Sequence, residues 1–197
     1  VADQLAAPLD LAYLLERDDL GTVKTTMLVE CATAVVQEAA GRPPQRIVEV
    51  LGDTAYLIGT TDSVLELPQR PVTAVTSVLL DGQPVTEGTG TGQWRRPGNG
   101  SRLWRDCGWA SVCGEPSTVT VVNDHGYPSG HQGLQLGRNA VLGLIRGVYD
   151  NPEGKTRVQI DDYAAAFERL AAALEASPNI RAALRRQYGS GGRMVRL

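Results

Sequence analysis

Aromatic residues are scarce in this 197-residue chain: one Phe, three Trp and six Tyr together make up 5% of it. So small an inventory fits one globular domain with a modest core rather than two full domains. Cysteine is scarcer still. Three thiols, an odd number in a chain this long, argue against a disulfide framework and for a reducing compartment. No apolar run approaches the ~20 residues that cross a bilayer. The opening Val1-Ala2-Asp3-Gln4 also lacks the basic start and apolar stretch of a secretory leader. The expected setting is a cytoplasm, with no membrane contact.

One further absence is local. After Glu175 there is no acidic residue, while Arg181, Arg185, Arg186, Arg193 and Arg196 all fall there, so the end of the chain carries +5 against a whole-chain charge of −3 and leaves −8 on the rest. An acidic body does not attract nucleic acid over a broad face, so any anion-seeking or partner-seeking surface is concentrated at the C-terminus.

What is present, 42% hydrophobic and 21% charged residues, excludes a disordered, collagen-like or coiled-coil chain. Val23, Met27, Cys31, Ala34 and Val35 recur on one face of a helix predicted over 22–40, which Gly41 and Pro43-Pro44 terminate. A shorter helix is expected over 8–16. From 46 to 127 the period changes to short runs rich in Val, Ile, Thr and Tyr: Ile47 to Leu51, Ala55 to Ile58, Val64 to Leu67, Val72 to Leu80 and Thr118 to Val122. These read as strands, with Asp81-Gly82 as a hairpin turn. Inside this β-rich insertion lies a Gly-rich loop, 86–114, that holds all three tryptophans. Helical spacing returns over 129–149, through Leu134, Val141, Leu144, Ile145 and Val148, and over 161–188 with a break at Ser177-Pro178. The predicted fold class is α+β, mainly α: a single domain over 1–188, built as a helical bundle with a β-rich insertion and a C-terminal helix. A flexible basic tail, 189–197, follows it.

Few constellations here could carry chemistry. Cys107 and Cys113, spaced Cys-x5-Cys, precede His125 and His131, spaced His-x5-His, and zinc accepts such a set as thiolates and neutral imidazoles. The cysteine spacing exceeds that of a tight zinc knuckle, so the expected metal content is none and a zinc-stabilised binding module is the alternative. No Gly-x-Ser-x-Gly elbow is present. The pairs Asp18-Asp19 and Asp161-Asp162 are adjacent and do not converge as an acid/base dyad. Gly88 to Gly92 lacks the Lys-Ser/Thr and the helix of a phosphate loop. The chain is expected not to be an enzyme and to need no cofactor. Trp94, Arg95, Arg96, Trp104 and Trp109 could stack bases, yet exposed Trp and Arg are also the residues of interface hot spots, and a protein contact is favoured. The plainer alternative is that the tryptophans anchor the loop by burial and by cation–π contact with the arginines.

Several of these elements, taken in order, resemble a known family. Pro68-Gln69-Arg70-Pro71-Val72 runs into Val75-Thr76-Ser77-Val78 and the Asp81-Gly82 hairpin. His125-Gly126-Tyr127-Pro128 ends a strand directly before a helix, and Ile160-Asp161-Asp162-Tyr163 precedes a basic C-terminal helix. Over about residues 10–188 this order is similar to that of the head-to-tail adaptor, or connector, proteins of long-tailed double-stranded DNA bacteriophages. The resemblance implies a structural protein of the virion neck, assembled in the bacterial host cytoplasm. Twelve copies would form a ring between the portal protein and the next neck, stopper or tail protein, and genomic DNA would pass through its channel without specific binding. It further implies portal docking by Arg181, Leu184, Arg185, Arg186 and Tyr188 of the last helix, with Arg193, Met194, Arg196 and Leu197 of the tail. A ring requires one patch to meet a different patch on the next copy, and a net-negative channel repels passing DNA rather than gripping it. A small DNA-binding protein using the C-terminal arginines is the third reading.

Overall fold

In the computed structural model, residues 4–15, 22–98, 100–112, 115–149 and 163–189 are described. The chain divides into two units, one formed by 1–48 with 128–197 and the other by 49–127. The fold class is mixed α+β rather than mainly α, because the second unit is built on strands throughout.

In the first unit, helices α1 (Pro8–Leu15), α2 (Thr22–Ala40), α3 (Gln135–Tyr149), α4 (Tyr163–Glu175) and α5 (Pro178–Tyr188) are present, and α2 touches each of the other four. That central position shifts the buried face away from the predicted stripe. Val23 is 83% exposed, whereas Leu28, Val29, Ala32, Val36 and Ala40 are buried alongside Cys31 and Val35. A helix with neighbours on several sides is apolar over more than one face, so a single 3.6-residue stripe no longer marks its inner side. On α4 the buried line is Ala166, Leu170 and Leu174, an i, i+4, i+8 row. A 3₁₀ turn over Gln132–Leu134 leads into α3 and is capped by His131, whose Nδ1 accepts the Gly133 N–H at 2.9 Å.

The second unit holds two antiparallel sheets. Strands β1 (Val50–Gly59), β7 (Ser117–His125), β3 (Val72–Leu80) and β4 (Gln83–Pro84) lie in that order in the larger one. The smaller has the order β2 (Val64–Glu66), β6 (Arg102–Arg105), β5 (Trp94–Arg95). The two runs predicted around Gly52 fuse into one strand. Gly52, at φ +66°, sits in the register irregularity between Val50 and Asp53, so the chain bulges there and continues instead of turning. Asp81 (φ +49°) and Gly82 (φ +79°) make the expected hairpin turn between β3 and β4. Strand β7 alternates strictly, with Ser117, Val119, Val121, Asn123 and His125 buried. One core cluster joins the sheets: Val72, Val78, Leu80, Val119 and Val121 from the larger, and Leu65, Trp94 and Leu103 from the smaller.

Candidate functional site

The basic helix α5 starts at Pro178, placed at the first helical positions where its missing N–H costs nothing. Leu184 and Tyr188, four apart, face inward and are fully buried. The Tyr188 hydroxyl donates to the Gly133 carbonyl at 2.6 Å and accepts the Gly137 N–H at 3.0 Å, so it ties α5 to the start of α3. These two residues therefore belong to the core and not to a docking surface, a correction to the expectation for them. The arginines differ. Arg181 and Arg185, one turn apart, line a groove of about 370 Å³ together with Val35, Ala39 and Leu174, with Arg42, Glu38 and Glu175 also on its walls. Arg185 Nε donates to the Ala39 carbonyl at 3.4 Å, near the C-terminal end of α2, where a cation faces the negative end of the helix dipole. Arg186 is exposed. Arg193, Met194, Arg196 and Leu197 lie outside the described residues.

The Trp/Arg stretch of the second unit is mostly structural. Trp94 and Trp109 are 3% and 1% exposed, and their indole N–H groups donate to the carbonyls of Val85 at 2.9 Å and Ser63 at 3.2 Å. Both are core residues, which corrects the expectation of a contact role for them. Arg96 donates from both Nη atoms to the carbonyls of Val72 at 3.0 Å and Thr73 at 3.1 Å, so it crosslinks the stretch to β3. Arg105 bonds the carbonyls of Gly92 at 2.8 Å and Gly108 at 2.7 Å. Arg95 lies 4.3 Å over the half-buried Trp104 ring, the cation–π alternative weighed above. The stretch is also not one loop, since β5 and β6 run through it. Strands of two and four residues leave too little alternation to be read against Gly and Arg neighbours.

Two carboxylates secure this region. Asp81 is held below its ordinary 3.8, first by the Ser111 hydroxyl and then by the Thr118 N–H at 2.7 Å. Asp106 is held below the same value chiefly by the Gly92 N–H at 2.8 Å.

The four residues weighed as zinc ligands have other surroundings. His125 is fully buried, with Nε2 2.9 Å from Asp53 Oδ2. Because a carboxylate only accepts, Nε2 is the donor of this pair. His131 caps the 3₁₀ turn, Cys107 is exposed, and Cys113 lies outside the described residues. Among the described residues no group of three or more His, Cys, Asp or Glu side chains is placed to hold a metal ion. Among them, too, no helix is long and apolar enough to cross a membrane.

A comparison with known proteins adds a likeness of fold. No protein-family model matches the chain, and no curated protein matches it. Among solved structures, the chain is similar to one in the "Neck of empty GTA particle computed with C6 symmetry". The identity is 18% and the TM-score 0.50, over 86% of this chain and 91% of that one. It is also similar to a chain in the "Virion of native gene transfer agent (GTA) particle", at 16% identity and a TM-score of 0.45, with the same coverage. The structural neighbours of this fold thus come from the neck and the virion of a gene transfer agent particle.

Proposed function

We propose that this chain is a structural neck protein of a phage-like virion, a head-to-tail adaptor that assembles into a ring between the portal and the next neck or tail protein. The carrying observation is the likeness in fold to a chain of a gene transfer agent neck, which extends over 86% of the residues and follows from geometry alone. The order of motifs in the sequence leads to the same family independently. In this reading the chain is not an enzyme, and DNA passes its acidic body without being gripped.

Portal docking falls to α5 and its groove. Apolar lining from Val35, Ala39 and Leu174 beside the guanidinium groups of Arg42, Arg181 and Arg185 suits a partner segment that offers an apolar side chain flanked by carboxylates. Electron microscopy of the protein mixed with portal rings tests the reading. The expected result is a second ring stacked coaxially on the portal. Reversing Arg181 and Arg185 to Glu should weaken portal binding by about tenfold or more, the equivalent of ~1.4 kcal/mol, with no change in the helical far-ultraviolet signal. Portal rings that stay bare at saturating protein would sink the adaptor reading.

A further inference from the structure

The two outer edges of the larger sheet are treated in opposite ways. Along β3 the outer edge is covered: Arg96 occupies the carbonyls of Val72 and Thr73, the Val85 N–H takes the Val78 carbonyl at 2.9 Å, and β4 pairs with Leu79 and Leu80. Strand β1 is bare. Its residues from Asp53 to Gly59 pair in unbroken register with β7 on one side, and among the described residues no strand pairs with the other. Open edges are usually blunted by Lys, Pro or a bulge. Lys and Pro are absent from this strand, and its bulge, between Val50 and Asp53, lies before the regular stretch. The side chains along the edge are incompletely covered as well. Tyr56 and Ile58, on the outer face, are 76% and 74% exposed. On the inner face, opposite the buried Val121 and Val119 of β7, Ala55 and Leu57 are only half-buried, and Leu57 packs at the margin of the core cluster. A bare edge flanked by half-covered apolar side chains is a template for an added strand.

What fits this edge is a second copy of β1 itself. The one charged residue of the strand, Asp53, has Oδ2 2.9 Å from His125 Nε2 and Oδ1 on the Thr54 N–H at 3.0 Å. The segment after it, Thr54-Ala55-Tyr56-Leu57-Ile58, is uncharged, so it meets no repulsion from a copy of itself. Laid antiparallel about Tyr56, two such segments set Tyr56 against Tyr56, Ala55 against Leu57 and Thr54 against Ile58. Aromatic then meets aromatic and β-branched meets β-branched on the outer face, while small meets large on the inner one, all favourable cross-strand matches. Carried outward, the same register puts Asp53 opposite Gly59, Asp62 opposite Val50 and Glu49 opposite Ser63, so no carboxylate faces another.

We infer that the β1 edges of two copies pair antiparallel about Tyr56 and join two four-stranded sheets into one continuous sheet. Both copies use the same patch, a twofold contact, whereas the copies of a cyclic ring meet through two different patches. The pair is therefore a form of the subunit outside the ring, and the inference stands apart from the adaptor reading. A ladder this short covers less than the ~800 Å² per partner of a stable complex, so the pair is weak and leaves the subunit free to be drawn into other contacts.

Sedimentation equilibrium and disulfide trapping of the full chain test this. The wild type should dimerise. Y56K changes an exposed side chain and sets two ammonium groups face to face, so it should dimerise at least about tenfold more weakly. Trapping reads the register in a C107S/C113S background, whose remaining thiol, Cys31, is buried. Under mild oxidation Y56C should form a covalent dimer. T54C alone and I58C alone should not, because like positions then lie four residues apart along the pair, about 13 Å, beyond the ~7 Å reach of a disulfide. Their equimolar mixture should crosslink. A wild type that stays monomeric up to about millimolar concentration, a Y56K chain that dimerises like the wild type, or trapping that ignores this register overturns the inference. Portal rings should form with Y56K as with the wild type. Their loss in Y56K alone would make Tyr56 a ring contact, overturning the twofold pair and keeping the adaptor reading. Portal left bare by both chains, beside trapping in the expected register, would do the reverse.

Discussion

Arginine serves opposite ends in the two units. In residues 49–127 the guanidinium groups work as internal crosslinks: Arg96 clasps two carbonyls of β3, Arg105 clasps two loop carbonyls, and Arg102 meets Glu66 at 2.8 Å. On α5, by contrast, Arg181 and Arg185 line an open groove and Arg186 is exposed. The reason lies in what surrounds each set. Strands of two to four residues cannot satisfy their own connections by ladder bonds, so planar five-donor side chains bridge the loops. A helix interior satisfies its own backbone, so α5 docks by Leu184 and Tyr188 with a single guanidinium contact of Arg185 to the Ala39 carbonyl near the end of α2, while Arg186 faces outward. Residue type alone thus does not mark a contact surface; the backbone's unmet hydrogen bonds decide whether an arginine turns inward.

The largest effect that could break this comparison is at the tryptophans. Trp109→Ala should cost roughly 3–5 kcal/mol, the usual range for emptying a buried aromatic site, because its ring is 1% exposed and its indole N–H bonds Ser63. Trp104→Ala should cost less than about 1 kcal/mol, the ordinary upper reach of a half-exposed cation–π pair, since its ring is half-buried and stacks under Arg95. Urea titration of both variants measures the difference. Equal losses would mean that the stretch is not organised as a core with a surface rim.

A middle-sized effect sharpens the other half. Tyr188→Phe keeps the ring but strands the Gly133 carbonyl and the Gly137 N–H, both bonded to the hydroxyl in a buried setting. Leaving such groups without partners costs about 1–3 kcal/mol. Arg186→Ala on the same helix should change stability by no more than about 0.5 kcal/mol, the usual limit for exposed positions. Thermal unfolding followed by the helical far-ultraviolet signal compares the two, and a Tyr188→Phe melt indistinguishable from wild type would remove the hydroxyl from the account of how α5 docks.

Tyr188 also shows how far a sequence can be read. Its spacing was legible, because Ile180, Leu184 and Tyr188 repeat at helical intervals, but its direction was not, since the expectation set Leu184 and Tyr188 on a docking surface and both are buried. Its hydroxyl partners were not, since they lie 51 and 55 residues earlier and are backbone groups, to which no side-chain pattern points. Alternation in β7 was equally plain, whereas β5 and β6 were hidden because a period of two needs more than two to four residues to emerge. The α5 arginines stood out through the missing acids around them. The β1 edge did not, for an open side is a property of the sheet order and not of the strand's own residues.

The smallest effect concerns acid, and it separates the units by their reporters. All three tryptophans lie between residues 94 and 109, so indole fluorescence follows the second unit, while the helical circular dichroism signal follows the first. Asp81 and Asp106, both in the second unit, are held below 3.8 by hydrogen bonds donated to the ionised form. The unfolded chain then takes up these protons first as the pH falls. Their contribution to stability is complete above 3.8 and is lost as the pH drops through their lower folded values. The urea midpoint read by fluorescence should therefore slope downward below that pH, and D81N/D106N should flatten the slope while it lowers the midpoint at neutral pH. These carboxylates are solvent-exposed, so the change is modest beside the loss of Trp109. If the fluorescence midpoint of the double variant kept the wild-type slope, the acid sensitivity would belong to other groups, and Asp81 and Asp106 would be ordinary turn residues.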